Sequence, residues 1–135
     1  MGHVIHVDEL GFEVTFIGHL NADESVAAMV DAHARIDLDR VRYRVVNFLP
    51  VEEYDFDPAY AATFRKLDEV MMEGRAPFRI AFVGVRTEAL AIFQTYVASG
   101  SAGNLEVETF EELTPARAWA KGRSHQPKGE RSLAP

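Results

Sequence analysis

The chain lacks cysteine entirely, although it has 135 residues. That absence excludes disulfides, thiolate metal sites and a cysteine nucleophile. Long hydrophobic runs are also missing, because the start of the chain has no apolar stretch of signal-peptide length and no other run approaches the length of a membrane span. We therefore expect a cytoplasmic protein with no membrane insertion.

Positive charge is scarce, since 14 basic residues stand against 21 acidic ones and the net charge is −7. Residues 121–135 hold four basic residues and one acidic residue, a net +3, so the first 120 residues carry −10. An acidic body repels a phosphate backbone, and we expect no nucleic-acid partner. Residues 122–135 are polar and without periodicity, which predicts a flexible basic tail after a single domain at residues 1–121.

Hydrophobic periodicity predicts a single-domain α/β fold with the element order β-β-α-β-α-β-α-β-α. Alternating apolar segments at His3–Val7 and Phe12–Leu20 predict an N-terminal hairpin. Strands and helices alternate after it, so we expect a mixed sheet with one antiparallel strand, four helices and right-handed crossovers. The later strands are expected at 41–49, 78–83 and 105–109, and the helices at 23–38, from 58 to a stop at 74, at 87–98 and from about 111.

Apolar residues at helical spacing predict which face of each helix turns inward. Asn21 or Asp23 is expected to cap the first helix, and Asp57 followed by Pro58 is typical of the start of the second. The residues expected to face inward are Val26, Met29, Val30, His33 and Ala34 in the first helix, Tyr60, Phe64, Leu67 and Met71 in the second, and Leu90, Phe93 and Val97 in the third.

A strand, a glycine and a helix follow one another in FRIAFVGVRTEALAIF, residues 78–93, an outline shared with phosphate-binding turns. A dinucleotide fingerprint needs three spaced glycines, and a P-loop needs two glycines and a lysine. The turn here offers Gly84 but no second glycine and no lysine. We interpret it as an ordinary strand-to-helix turn. The alternative is a weak anion site, with Arg86 and Thr87 at the helix N-terminus.

Carboxylates crowd the predicted loop PVEEYDFDP, residues 50–58, without the ligand spacing of a calcium loop. The loop is either a solvated acidic connection or a docking surface for a basic partner. It follows the C-terminal end of a central strand, the edge at which open α/β sheets place their sites. We expect any interaction or ligand surface at this edge, with Glu52, Glu53, Tyr54, Asp55, Gly84, Arg86 and Thr87.

No catalytic constellation is visible in the sequence. The segment ASGSAG, residues 98–103, departs from the nucleophile-elbow pattern and follows a helix rather than a strand. His3 and His6 point to opposite faces of one strand, and His3 can meet His19 only across the hairpin. His33 fits a hydrogen-bonded histidine at the margin of the core. We therefore expect no metal, no cofactor and no enzymatic activity.

Three segments resemble the STAS-like families, in particular the SpoIIAA-like group of small bacterial proteins. They are FIGHLNADES at 16–25, FRIAFVG at 78–84 and LEVETFEELTPARAWA at 105–120. The resemblance covers nearly all of residues 3–121 and implies a non-enzymatic fold used in protein–protein regulation. The phosphorylatable serine of typical anti-sigma-factor antagonists has no counterpart, because no Ser or Thr lies between Asn47 and Thr63. The phosphoserine switch is therefore not carried over.

Two functional hypotheses remain. The first is a STAS-like regulatory or protein-interaction module that binds a protein partner or itself. The alternative is a protein that binds a small apolar or anionic ligand. The aromatic residues Phe64, Phe93, Tyr96 and Trp119 permit an apolar pocket between sheet and helices, although core packing also explains them. A filled, dry interior would count against the pocket.

Overall fold

The computed structural model describes residues 2–100 and 104–122, with only the backbone of Thr87 and Glu88. The predicted tail therefore lies outside the described residues, apart from Gly122. The elements are β1 His3–Val7, β2 Gly11–Phe16, β3 Gly18–Asn21, α1 Ala22–His33, β4 Tyr43–Asn47, β5 Val51–Asp55, α2 Ala59–Met72, β6 Phe78–Val83, α3 Thr87–Ala98, β7 Leu105–Phe110 and α4 Leu113–Ala120.

A five-stranded mixed sheet with the order β1-β2-β4-β6-β7 forms the centre of the fold. β1 is antiparallel to β2, and the other neighbours are parallel. The predicted α/β class is confirmed, with one antiparallel strand in this sheet and four helices among the described residues. Within the same residues, no helix has both the length and the apolar character needed to cross a membrane.

A second, two-stranded sheet is the main departure from the predicted element order. The single strand expected at Phe12–Leu20 is divided at Gly18, whose φ of 76° interrupts an extended backbone. The second part, β3, leaves the main sheet and pairs in parallel with β5. β5 occupies residues predicted as a loop, because acidic residues are depleted in strands and gave no strand signal.

Helix starts and the strand β6 follow the prediction closely. Asn21 caps α1, since its side chain accepts a hydrogen bond from the Glu24 amide at 2.8 Å. α2 begins one residue later than predicted, at Ala59, with Pro58 as its N-cap residue. The Asp57 carboxylate still accepts a hydrogen bond from the Ala59 amide at 3.0 Å. α1, however, ends at His33 rather than residue 38. Ile36 and Leu38 still pack on the core from the following connection, so the apolar pattern continues past the helix.

Small side chains, rather than large apolar ones, pack the helices on the sheet. Ala28 and Ala32 of α1 are 4% and 2% exposed, and Ala61 of α2 is 2% exposed. With small residues turned inward, the larger neighbours lie on the flanks of the helix. The predicted inward faces are therefore wrong at several positions. Residues expected inside but 42–64% exposed are Val26, Val30, Tyr60, Leu67, Leu90 and Val97. Ala34 is also exposed, whereas Met29, His33, Phe64, Met71 and Phe93 are half-buried.

The sheet has two differently covered faces. Helices α1, α2 and α3 cover one face, over a core that includes Phe12, Val46 and Phe82. Helix α4 covers part of the other, over a smaller cluster around Val45 and Val83. We call these the three-helix face and the α4 face.

Candidate functional site

An apolar cavity of about 120 Å³ lies between the three-helix face of the sheet and helices α1, α2 and α3. For scale, a cavity of about 150 Å³ engineered into another protein binds benzene. The interior on this side of the sheet is therefore not completely filled by side chains. The sheet side of the wall consists of Phe12, Val14, Phe16, Val46, Phe48 and Phe82.

Three stacked aromatic rings form the centre of the sheet side of this wall. Phe48 stands between Phe16 and Phe82, with ring centroids 6.1 Å away on each side and interplanar angles of 17° and 10°. These residues belong to or follow the neighbouring strands β2, β4 and β6, so the parallel register of the sheet aligns them. Phe93 and Tyr96 of α3 meet the Phe82 ring edge-on, at 5.5 and 5.4 Å. The wall therefore offers an aromatic surface to an apolar molecule.

Helices α1 and α2 supply the partly exposed residues of the cavity wall. Helix α2 packs against α3, whereas α1 packs against β1 and β3, and α1 and α2 make few contacts with each other. The wall residues here are Met29 and His33 of α1 and Phe64 of α2, and all three are half-buried. Phe56 stacks on Phe64 at 6.0 Å beside them. The exposed apolar residues Val26, Val30, Tyr60 and Leu67 lie about one helical turn from these wall residues.

A buried ion pair joins the sheet to α2 at one end of the cavity. Arg44 of β4 donates two hydrogen bonds to Asp68, from Nη1 to Oδ1 at 3.2 Å and from Nη2 to Oδ2 at 2.7 Å. The two side chains are 15% and 9% exposed. Tyr96 of α3 donates its hydroxyl to Asp68 Oδ2 at 2.6 Å. We call His33, Arg44, Asp68 and Tyr96 the polar end of the cavity, because all four line it.

The charge states at the polar end follow from this geometry. Burial lowers the pKa of Arg44, but the attraction and hydrogen bonds of Asp68 more than offset it, so the net pKa is raised. Burial raises the pKa of Tyr96, and the negative charge of Asp68 raises it further. Arg44 is therefore a cation and Tyr96 a neutral donor at neutral pH. The charges of Arg44 and Asp68 cancel.

His33 is the fourth member of the polar end and is half-buried at the end of α1. Burial lowers the pKa of its imidazole, the charge of Arg44 lowers it further, and Asp68 opposes this in part. The ring is therefore neutral at pH 7. The predicted position at the core margin is right, but the predicted hydrogen bond is absent among the described residues. Arg44 Nε is likewise buried without a hydrogen-bond partner there.

A second arginine, Arg65 of α2, packs against the Tyr96 ring. The guanidinium of Arg65 lies 5.1 Å from the Tyr96 ring centroid, and its Nε donates to Glu69 Oε2 at 2.9 Å. Arg65 Nη1 also reaches the Tyr96 carbonyl at 3.5 Å. These contacts fix the orientation of the ring whose hydroxyl meets Asp68.

The surface predicted from the sequence lies elsewhere on the molecule. Glu52, Glu53 and Asp55 are exposed on β5, and none of them lines the cavity. Tyr54 is half-buried and meets the Phe48 ring edge-on at 6.3 Å. His19 of β3 lies 3.8 Å from the Asp55 carboxylate.

The turn after β6 makes hydrogen bonds to the backbone of neighbouring segments. Gly84 is buried with φ 80°, and its amide donates to the Phe110 carbonyl at 2.9 Å. Arg86 is exposed and reaches the Leu49 carbonyl at 3.5 Å. Thr87 begins α3. The structure thus brings Gly84 and Arg86 together beside the β4–β5 connection. The interaction surface at this edge stays a prediction.

Sequence reasoning missed Arg44 and Asp68, the pair that joins the sheet to α2. A signal for them exists in each element. Arg44 occupies a position with strand alternation that puts it on the same face as Val46 and Phe48. Asp68 follows Ala61 and Arg65 at helical spacing, on the buried side of α2. Trp119, expected among the pocket aromatics, lies instead on the α4 face against Phe110, at 5.7 Å.

Other polar clusters are paired internally. His3 of β1 contacts the Glu24 carboxylate through Nδ1 and that of Asp31 through Nε2, the latter at 3.1 Å. On the α4 face, Arg117 donates two hydrogen bonds to Glu13 at 2.8 and 2.9 Å. The described residues contain no group of three or more His, Asp or Glu side chains placed to hold a metal ion.

Comparison with protein-family models gives no match for this chain, and comparison with curated proteins gives none either. The STAS-like resemblance therefore stays a prediction.

Proposed function

We propose that this protein binds a small apolar ligand in the cavity between the three-helix face and helices α1, α2 and α3. The observation that carries the proposal is a cavity of about 120 Å³ with aromatic walls, lined by residues of the sheet and of α1, α2 and α3. Ligand pockets in proteins share this composition, an apolar wall with a few placed polar groups. No change in the ligand's covalent structure is part of the proposal.

The expected affinity follows from the apolar area that a ligand would lose to the walls. A ligand that buries about 150 Å² of apolar surface gains about 4 kcal/mol. Because association also costs translational and rotational freedom, that gain sets an upper limit on affinity, and we expect a Kd of about 1 mM or weaker. Extension of the ligand over the exposed apolar residues about one helical turn from the wall, Val26 and Tyr60 among them, would strengthen binding further.

The test is a cavity-filling variant with a matched control on the same helix. Ala28 of α1 is buried in the cavity wall, whereas Ala27 beside it is exposed. Toluene binding is measured by NMR chemical-shift titration in the wild type, Ala28→Leu and Ala27→Leu. We expect Ala28→Leu to weaken binding about tenfold or more and Ala27→Leu to leave it unchanged. Equal toluene binding by both variants, or none by the wild type, would refute the proposal. Circular dichroism confirms that both variants fold.

We also infer a STAS-like fold for the domain. What supports this is the N-terminal hairpin followed by alternating helices and parallel strands, together with the segments at 16–25, 78–84 and 105–120. The non-enzymatic character and the bacterial, cytoplasmic setting that the resemblance implies belong to this proposal.

Protein interaction is the second candidate function, and the observation that favours it is the exposure of β5. Glu52, Glu53 and Asp55 are all exposed, and β5 pairs with β3 alone among the described strands. An exposed strand edge with negative charge suits a basic partner. Reversal of the three charges to lysine tests this surface once a partner is isolated with the protein. Unchanged binding of that partner would exclude the surface.

A further inference from the structure

The polar atoms at the polar end of the cavity divide into those already paired and those still available. Asp68 Oδ1 accepts from Arg44, and Oδ2 accepts from both Arg44 and Tyr96. The Tyr96 hydroxyl is committed to Asp68 as a donor. Among the described residues, the His33 ring nitrogens have no hydrogen-bond partner and Arg44 Nε has none. His33 is the partly exposed one of the two and lines the cavity, so its ring is the more accessible to a ligand.

The charge balance restricts what can be placed beside His33. Arg44 and Asp68 form one neutral pair, and Arg65 and Glu69 form another behind Tyr96. An ammonium group on a ligand would find no free counter-charge at this end, and a carboxylate would find one only if His33 gained a proton, which burial and the charge of Arg44 disfavour by lowering the His33 pKa. An unpaired charge in a poorly hydrated site is strongly disfavoured. A neutral polar group avoids this cost and can still use the imidazole, which has one donor and one acceptor nitrogen.

We propose that the ligand is an apolar molecule with one neutral oxygen-containing group, such as an alcohol or a ketone, and that His33 hydrogen-bonds to that group. This inference rests on the proposed function and specifies its ligand class. The hydrocarbon part lies on the stacked rings of Phe16, Phe48 and Phe82, and the oxygen points to the end of α1. His33 determines specificity, whereas the aromatic wall supplies most of the affinity.

The test uses four probes with the same ring: toluene, benzyl alcohol, benzoate and benzylamine. Calorimetric or NMR titration at pH 7.5 gives their Kd values for the wild type, His33→Leu and His33→Gln. We expect benzoate and benzylamine to bind at least about tenfold more weakly than benzyl alcohol, as the penalty for an unpaired charge predicts. We also expect His33→Leu to weaken benzyl alcohol about three- to tenfold while toluene changes little, as loss of one neutral hydrogen bond predicts. His33→Gln, which keeps a donor and an acceptor, should restore part of the loss.

The outcomes separate this inference from the proposed function. If toluene binds the wild type and Ala27→Leu but benzyl alcohol loses nothing in His33→Leu, the ligand class is wrong and the cavity still binds apolar molecules. Tightest binding by benzoate or benzylamine would also overturn the ligand class alone. If no probe binds, both proposals fail. Toluene binding by His33→Leu is itself the check that this variant has an intact cavity.

Discussion

The guanidinium of Arg65 occupies the space where any residue other than glycine at position 100 would place its Cβ atom. Arg65 is 7% exposed and is held there by Glu69 and the Tyr96 ring. Gly100, just after α3, therefore permits the arginine of α2 to lie over an aromatic ring of α3. The contact links the two helices on the side of Tyr96 away from the cavity.

Substitution of this glycine should destabilise the protein through Arg65. We expect Gly100→Ala to lower the free energy of unfolding by about 1–2 kcal/mol, because the guanidinium must move and lose its hydrogen bond to Glu69. Urea unfolding measures the change. In an Arg65→Ala background the same substitution should cost much less, since the clash is gone. An equal cost in both backgrounds would mean that Arg65 is not the cause.

Loss of Asp68 should be far more costly than loss of an exposed partner in an ion pair. Asp68→Ala leaves the buried Arg44 charge without its carboxylate, and we expect unfolding free energy to fall by about 3–5 kcal/mol. Glu9→Ala is the control, because Glu9 and Arg40 pair with side chains 77% and 57% exposed. It should cost less than about 1 kcal/mol. Urea denaturation of both variants provides the comparison, and similar small losses would argue against a buried ion pair.

Two glycines have nearly equal φ angles but different surroundings. Their substitution by alanine therefore separates the cost of backbone strain from the cost of crowding by a neighbour. Gly74 and Gly84 have φ of 76° and 80°. A Cβ at Gly74 would meet open space, whereas one at Gly84 would lie 2.9 Å from Leu49 Cδ2. We expect Gly74→Ala to cost about 1 kcal/mol from φ alone and Gly84→Ala at least about 1 kcal/mol more. Thermal unfolding measures the stability of both variants. Equal losses would show that contact with Leu49 does not contribute to the cost of Gly84→Ala.

The His3 cluster predicts a pH-dependent contribution to stability. The hydrogen bond to Glu24 raises the pKa of His3, burial opposes this, and Asp31 adds to the rise. Because the folded pKa lies above the unfolded value, this contribution is fully present below about pH 6.5 and is lost as pH rises through the folded pKa. We expect the difference in unfolding free energy between the wild type and His3→Asn to shrink by up to about 1 kcal/mol from pH 6 to pH 9.

The comparison with His3→Asn is necessary because His33 titrates in the opposite sense. Its lowered pKa favours folding with the neutral ring, so its contribution decreases on acidification. Subtraction of the two urea-derived curves removes that contribution, since His33 is the same in both proteins. A pH-independent difference would show that the carboxylates do not hold a protonated His3.

Hydrophobic periodicity in the sequence located most helices and strands, but it did not identify which side of each helix faces the core. The strand β6 and helix α3 have the predicted bounds, because a continuous apolar run, Gly84 and a clear helical pattern follow one another there. The same pattern misplaced Val30 and Tyr60, since it treats the largest apolar residues as the inward ones. In this fold Ala28 and Ala61 occupy those places, and the larger residues are exposed on the flanks of the helices.

The candidate site depends on contacts that no local pattern contains. Arg44 and Asp68 lie 24 residues apart, on a strand and a helix that meet only in the folded sheet. The cavity is the space left between elements whose separation depends on all their side chains together. The acidic strand β5 was missed for a local reason, because its residues disfavour a strand and only its pairing with β3 makes one.

The bidentate Arg44–Asp68 pair is one of the contacts that determine how far α2 stands from β4. Two extended polar side chains meet there end to end, which favours a wide separation of the helix from the strand. Two apolar residues, as in Arg44→Met with Asp68→Leu, would need no such separation, and replacements of this kind often match or exceed a buried ion pair in stability. A helix closer to the strand would narrow the cavity. A gain in stability at this position would therefore reduce the empty space inside the fold.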